Sequence, residues 1–214
     1  ALGRIVAQDV IAKRSNPPTA NSAVDGYGFD SDSVDEGAQV LPLVDGRAAA
    51  GDAFNGVVPA GKAVRILTGA MVPQGVNTVV LEEDCTVSDT AVAFNGTLTR
   101  GANTRQAGED IENGTKVVAK GTKLSAGDIA ILVATGVSTL PVFKQLRVAI
   151  LSTGDELTDV GDEAVEGQIF DANRPMLAAM FEKFGATVVD IGKVPDDPTA
   201  LRAAFDRAAK SADM

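Results

Sequence analysis

Short apolar runs separated by turn-forming residues dominate the chain from Ser31 to Ala119. The runs are Gln39 to Val44, Ala63 to Leu67, Asn77 to Leu81, Ala91 to Phe94 and Lys116 to Val118, with Gly, Asn and Asp between them. Many short strands and no long helix predict a β-rich module, a small barrel or sandwich. Gly3 to Ala12 reads as a further strand with partial alternation, and SNPPTA (Ser15 to Ala20) as a proline-marked turn. The pattern changes after Lys120. Thr122 to Val133 has Ile129, Leu132 and Val133 on one helical face, with Ser125 as its N-cap and Gly136 beyond its end. Arg147 to Leu157, RVAILSTGDEL, is an apolar run cut off by Ser152, Thr153 and Gly154 and followed by two acids. Helical spacing from Arg174 to Phe184, a second β-like run from Thr187 to Ile191 and an amphipathic stretch from Leu201 to Ala209 complete a βαβα rhythm. That rhythm predicts an open parallel sheet. Asp197 and Pro198 supply the N-cap and first turn of the last helix. A third strand is expected to start near Met214, so the chain is expected to be a fragment of a longer protein.

Loops at the ends of these runs carry the candidate chemistry. In a parallel sheet ligands sit beyond the carboxyl ends of the strands. Gly154 lets the backbone approach a ligand, and Asp155 and Glu156 orient a metal ion or polarise a water; the alternative is a plain turn with solvated acids. NSAVDGYGF (Asn21 to Phe29) holds the only Tyr, Tyr27; Asp25-Gly26 is either a type I′ hairpin turn or a loop presenting Asp25 to a ligand. In RILTGAMVP (Arg65 to Pro73), the Thr68 hydroxyl binds a phosphate oxygen or caps a turn. RGANTRQAGEDI (Arg100 to Ile111) places two arginines and two acids in one loop, a phosphate fork or a solvated surface. GVVPAGK (Gly56 to Lys62) has the spacing of a phosphate-binding loop, but Ala63 and a β-like run follow where Ser or Thr and a helix are required. Gly61 is therefore read as a turn.

Composition narrows the chemistry. With 214 residues the chain holds one large domain or two to three small ones. Acids number 29 against 19 bases, a net charge of −10, which argues against general nucleic-acid binding. No His is present, which removes Ser-His-Asp and Cys-His nucleophiles and His-ligated metals. Cys85 is the only Cys, so no internal disulfide or thiolate cluster forms; it is read as a small, partly buried residue of a protein in a reducing compartment. Carboxylates, hydroxyls, Lys, Arg, backbone amides and hard cations remain, an inventory suited to phosphates and oxyanions. No apolar run approaches the roughly 20 residues that cross a bilayer. ALGRIVAQDV does not have the pattern of a signal peptide, and a cytoplasmic protein is expected.

Six motifs in one order carry a family resemblance: NSAVDGYGF, RILTGAMVPQGVNTVVLEED (Arg65 to Asp84), AGEDI (Ala107 to Ile111), LSTGDEL (Leu151 to Leu157), GQIFDAN (Gly167 to Asn173) and VPDDP (Val194 to Pro198). Together they resemble the molybdopterin molybdenumtransferase family, the bacterial MoeA type shared with plant and animal (gephyrin) E domains. The resemblance implies a multidomain α+β fold. A β-rich, barrel-like second domain (21–112) is inserted in a small linker-like first domain (1–20 plus 113–144). A truncated α/β molybdopterin-binding-type domain with a parallel sheet follows (145–214). It implies insertion of molybdate into adenylylated molybdopterin with release of AMP and help from Mg²⁺, in a homodimer. By motif, Asp25, Thr68, Asp110, Glu156 and Asp196 correspond to residues implicated in the family's activity. Ser152, Thr153, Gly154, Asp155 and Arg105 are expected to bind substrate, and no set of Mg²⁺ ligands is assigned. Asp25 and Thr68 are expected to reach the Asp155-Glu156 cleft from the partner subunit. The family's glycine-rich SGGVSxGD stretch is absent, so the chain alone is expected to be inactive. Two other readings fit parts of the sequence. One is a peptide-binding scaffold of the gephyrin type. The other is a nucleotide-processing α/β domain of the competence-damage type, which lacks the upstream TGAMVP and DGYG motifs.

Overall fold

The computed structural model describes residues 1–96 and 98–214. The chain divides into two compact units: Asp9–Val118 with Ala130–Leu140, and Ala1–Gln8 with Ala119–Ile129 and Pro141–Met214.

The first of these units is built on a six-stranded sheet. Its strands are β1 (Gly26–Phe29), β2 (Ala38–Ala48), β3 (Ala63–Ile66), β4 (Thr78–Leu81), β5 (Cys85–Val87) and β6 (Ala91–Asn95), in the spatial order β4-β1-β3-β2-β6-β5. Neighbours are antiparallel except β2 and β3, which run parallel. All five predicted β runs are strands, the last as Lys116–Val118 paired with Val10–Ile11. The predicted run ending at Val44 continues to Ala48. Residues 38–42 pair with β6, the register shifts after Leu43, and the remainder pairs with β3, so Asp45-Gly46 bends the strand without ending it.

Asp25-Gly26 is not a hairpin turn. Gly26 to Phe29 is a fully buried strand between β3 and β4. Gly26 and Gly28 face one side and Tyr27 and Phe29 the other, as the period of two requires. A Cβ at Gly26 would run into the Val80 carbonyl, so this glycine permits close strand approach rather than a turn. On the opposite face Tyr27, Phe29, Leu41, Ala63, Val80, Val92 and Phe94 form one core cluster. The rings of Phe29 and Phe94 lie 5.1 Å apart with a 41° tilt. Ala48, Ile66, Ala70 and Val79 form a second cluster. GVVPAGK is irregular and leads straight into β3, with the Gly61 N–H on Ser33 Oγ at 3.0 Å, so no phosphate loop forms.

Gly3 to Ala12 departs from the predicted strand. Only Val10–Ile11 is regular, while Ile5 and Val6 make single bridges to Lys123 and Val142. The backbone here takes its partners from two different segments in turn, so no continuous ladder develops.

In the other unit, β7 (Arg147–Thr153) runs parallel to β8 (Thr187–Val194). The crossover passes through a two-residue parallel ladder, Leu157–Thr158 with Ile169–Phe170, and then α2 (Asn173–Lys183). After β8 comes α3 (Pro198–Ser211), capped by Asp197, whose Oδ2 accepts the Ala200 N–H at 2.8 Å. The earlier helix, α1, spans Ala126–Ala134, shorter than the predicted Thr122 to Val133. Ser125 sets its start: Ser125 Oγ accepts the Asp128 N–H at 3.2 Å and Asp128 Oδ2 accepts the Ser125 N–H at 2.8 Å. Val148 and Ile150 are buried, and the final residues lie beside β7, with the Ala149 N–H donating to the Met214 carbonyl at 2.7 Å. No helix among the described residues is long and apolar enough to cross a membrane.

Asp213 ties this last segment to β7. Its carboxylate accepts the Arg147 N–H at 2.9 Å, the Arg147 guanidinium at 3.0 Å and Lys144 Nζ at 3.2 Å. The Arg147 side chain first, then its N–H, holds the Asp213 carboxyl far below the ordinary carboxylate range.

Two predictions follow from this packing. Gly26→Ala overpacks the β1–β4 contact and should lower unfolding stability by about 3 kcal/mol in a urea titration. Because the folded-state pKa of Asp213 is lowered, its contribution to stability is full above the ordinary value of 3.8 and is lost as pH falls through the lowered folded value. Thermal melts of wild type and Asp213→Asn should therefore differ at pH 7 and converge on acidification below about pH 4.

Candidate functional site

Strand pairing brings Asp25 to Thr68. Gly26 pairs with Ile66 in the antiparallel β1–β3 ladder, so the residue just before β1 lies beside the turn just after β3. The Thr68 N–H and Thr68 hydroxyl both donate to Asp25 Oδ1, each at 2.6 Å. No hydrogen bond to Asp25 Oδ2 is made among the described residues, and the side chain is exposed. The Thr68 hydroxyl, then the Thr68 N–H, hold the Asp25 carboxyl below its ordinary value; slight burial opposes them, and the Arg65 charge adds to the lowering. Arg65 is itself neutralised by Glu82, at 2.8 and 3.0 Å. Thr68 therefore orients a carboxylate whose second oxygen faces solvent.

Asn21–Ser22 lies between two other loops of this unit. It pairs with Thr104–Arg105 on one side, and Ser22 exchanges backbone hydrogen bonds with Gly69 and Ala70 on the other. Arg105 Nε donates to Glu109 Oε1 at 3.0 Å, and Arg105 Nη2 donates to Asp110 Oδ1. Asp110 Oδ2 accepts Asn16 Nδ2 at 3.2 Å. The guanidinium fork is thus directed at two carboxylates of its own loop. Arg100 pairs with Asp32. Glu109, which the sequence reading did not single out, accepts from both Arg105 and the Gln106 N–H; its place in the AGEDI motif was the available signal.

The second grouping lies at the carboxyl ends of β7 and β8. Thr153 pairs with Val194, so the two strands end together and bring the 154–156 and 195–197 loops side by side. The Asp196 N–H donates to Asp155 Oδ1 at 3.4 Å. Gly154 has φ +142°, and a Cβ there would meet Glu156 Oε2 at 2.5 Å, so only glycine lets the Glu156 carboxylate fold over this turn. Gly154 is buried; Asp155, Glu156 and Asp196 are exposed, and no base pairs with them among the described residues. Ser152 falls in step with buried Val148 and Ile150 along β7 and is half-buried, and the Asp171 carboxylate is buried. Asp171 and Arg174 organise this end of the unit and were passed over in the sequence, where FDANR carried the signal.

Cys85 is half-buried, with Sγ on the Leu81 carbonyl at 3.1 Å. Burial, then Asp84 and Glu82, push its thiol up to about 11, the reverse of what a nucleophile needs.

The described chain thus combines a β-sheet unit carrying an oriented Asp–Thr pair with a parallel α/β unit whose strand ends are acidic. The chain belongs to the family described as "MoeA N-terminal region (domain I and II)", which matches residues 1–136, and residues 149–214 match the "Probable molybdopterin binding domain". A molybdopterin molybdenumtransferase of Haemophilus influenzae is 36% identical over 216 residues, covering 100% of this chain and 53% of that protein. One of Nostoc sp. is 35% identical over 217 residues, covering 100% and 50%. A solved molybdopterin biosynthesis MoeA protein of Pyrococcus horikoshii superposes with a TM-score of 0.90 at 30% identity, covering 100% of this chain and 55% of that one. The chain spans about half the length of the curated relatives it matches.

Thr68→Val keeps the backbone donor and removes the hydroxyl. The midpoint of the Asp25 carboxyl carbon in an NMR titration should lie below 3.8 in wild type and rise toward it in the variant.

Proposed function

We propose that this chain forms part of a molybdopterin molybdenumtransferase, which inserts molybdate into adenylylated molybdopterin and releases AMP. The carrying observation is the acidic edge at the carboxyl ends of β7 and β8. A helix N-terminus, here that of α3, ordinarily favours anions. Exposed Asp155, Glu156 and Asp196 beside it repel a bare phosphate, so this edge suits a phosphate that arrives with a cation.

Hard carboxylate oxygens without paired bases fit Mg²⁺. No group of three acids is close enough to cage a metal among the described residues. The fit is therefore to an ion that keeps several waters and is shared with substrate phosphates. One or two of the Asp155, Glu156 and Asp196 carboxylates would hold it, with water and phosphate completing the shell, and Asp25 Oδ2 is a donor of the same kind. Bound there, Mg²⁺ would neutralise charge on the diphosphate and on departing AMP. Gly154 leaves the Glu156 carboxylate room to fold over the turn, and Thr68 keeps Asp25 ionised and fixed in direction. Chemistry of this kind is electrostatic and requires neither imidazole nor thiolate. The protein is taken to act in the cytoplasm as a homodimer.

The test is made in the full-length protein. Glu156→Ala and Asp25→Ala should each lower molybdate-dependent AMP release from adenylylated molybdopterin by about 100-fold with an unchanged melting temperature. An unmodified full-length protein that released no AMP would overturn the assignment.

A further inference from the structure

We propose that Arg174 is a positioning residue that clamps both flanks of the 152–159 loop and so sets the direction of Asp155 and Glu156. It rests on the functional reading above only in taking that loop as the ligand edge. Arg174 opens α2, and its side chain is only 15% exposed. Nε donates to Asp171 Oδ2 at 3.0 Å, Nη1 donates to Asp190 Oδ2 at 2.8 Å, and Nη2 bonds Asp159 Oδ1. The Arg174 N–H also donates to Asp171 Oδ1, at 3.1 Å.

Each carboxylate fixes a different part of the loop. Asp171 follows the Ile169–Phe170 segment that pairs with Leu157–Thr158 of the loop. Asp159 lies at its exit. Asp190 sits on β8, opposite Ile150 of β7, and anchors the guanidinium to the strand that enters the loop. Asp171 is 3% exposed in its side chain, so its charge requires the Arg174 fork. Backbone bonds follow the same path: the Ile169 N–H reaches the Glu156 carbonyl at 2.8 Å, and the Asp171 N–H reaches the Thr158 carbonyl at 2.9 Å. One planar cation with three directions of donation thus holds entry, exit and sheet in a fixed relation. Lysine offers the charge without the fork.

Amide hydrogen exchange on this chain, without ligand, tests the clamp. Asp159→Asn removes only the exit arm, at a half-exposed residue, and should leave the fold intact. Exchange at the Leu157, Ile169 and Asp171 amides should quicken about tenfold, while Val148 to Leu151 and the melting temperature stay as in wild type. Asp159→Glu should restore slow exchange, and Arg174→Lys, which loses the fork to all three carboxylates, should quicken the same three amides further. Wild-type exchange at those three amides in Asp159→Asn would overturn the proposal. So would acceleration spread equally over Val148 to Leu151, the mark of a purely structural role. A separate titration of the full-length protein with magnesium AMP reports on the function: a full-length protein that binds none would count against the functional reading and leave the clamp untouched.

Discussion

Strand register is the constraint on which each candidate site depends. Asp25 meets Thr68 because Gly26 pairs with Ile66, and Asp155 meets the Asp196 backbone because Thr153 pairs with Val194. A slip of one residue in either ladder would turn alternate side chains to the wrong face and separate these partners. In the β-sheet unit the register is enforced by size. Gly26 and Gly28 admit the Val80 carbonyl and the Val76 side chain on one face, while Tyr27 and Phe29 fill the core on the other. Packing that leaves no room for a Cβ at 26 also fixes the carboxylate at 25.

Charge is distributed with a similar economy. The arginines near the candidate sites are directed at carboxylates of their own unit: Arg65 at Glu82, Arg105 at Glu109 and Asp110, Arg174 at Asp171, Asp190 and Asp159. The Arg65 and Arg105 pairs are partly exposed and add modestly to stability, the Arg174–Asp171 pair is nearly buried, and all hold loops in one geometry. Among the acids that no arginine or lysine pairs with are Asp155, Glu156 and Asp196 at the strand ends, and Asp25 is held through one oxygen by Thr68.

Most element positions were legible because periodicity survives in short runs. All five apolar β runs are strands, and Asp197-Pro198 caps a helix as its chemistry requires. Misreadings came where local preference and tertiary pairing disagree. Asp25-Gly26 has the composition of a turn, yet a neighbouring carbonyl needs that glycine's missing side chain. Gly3 to Ala12 alternates like a strand, yet its backbone is divided between separate partners. Arg105 has the chemistry of a phosphate fork, and only the folded loop shows its donors turned toward Glu109 and Asp110.

By itself the sequence determined the alternation of a β-rich module with a βαβα segment, the absence of imidazole chemistry and, through six ordered motifs, the family. Those are properties of residue type and spacing, which are local. Tertiary structure alone decided which acids are spent on arginines and which remain free, that Thr68 aims Asp25, and that Arg174 gathers Asp159, Asp171 and Asp190. Those depend on residues far apart in the chain meeting within hydrogen-bond distance, and no local pattern encodes that.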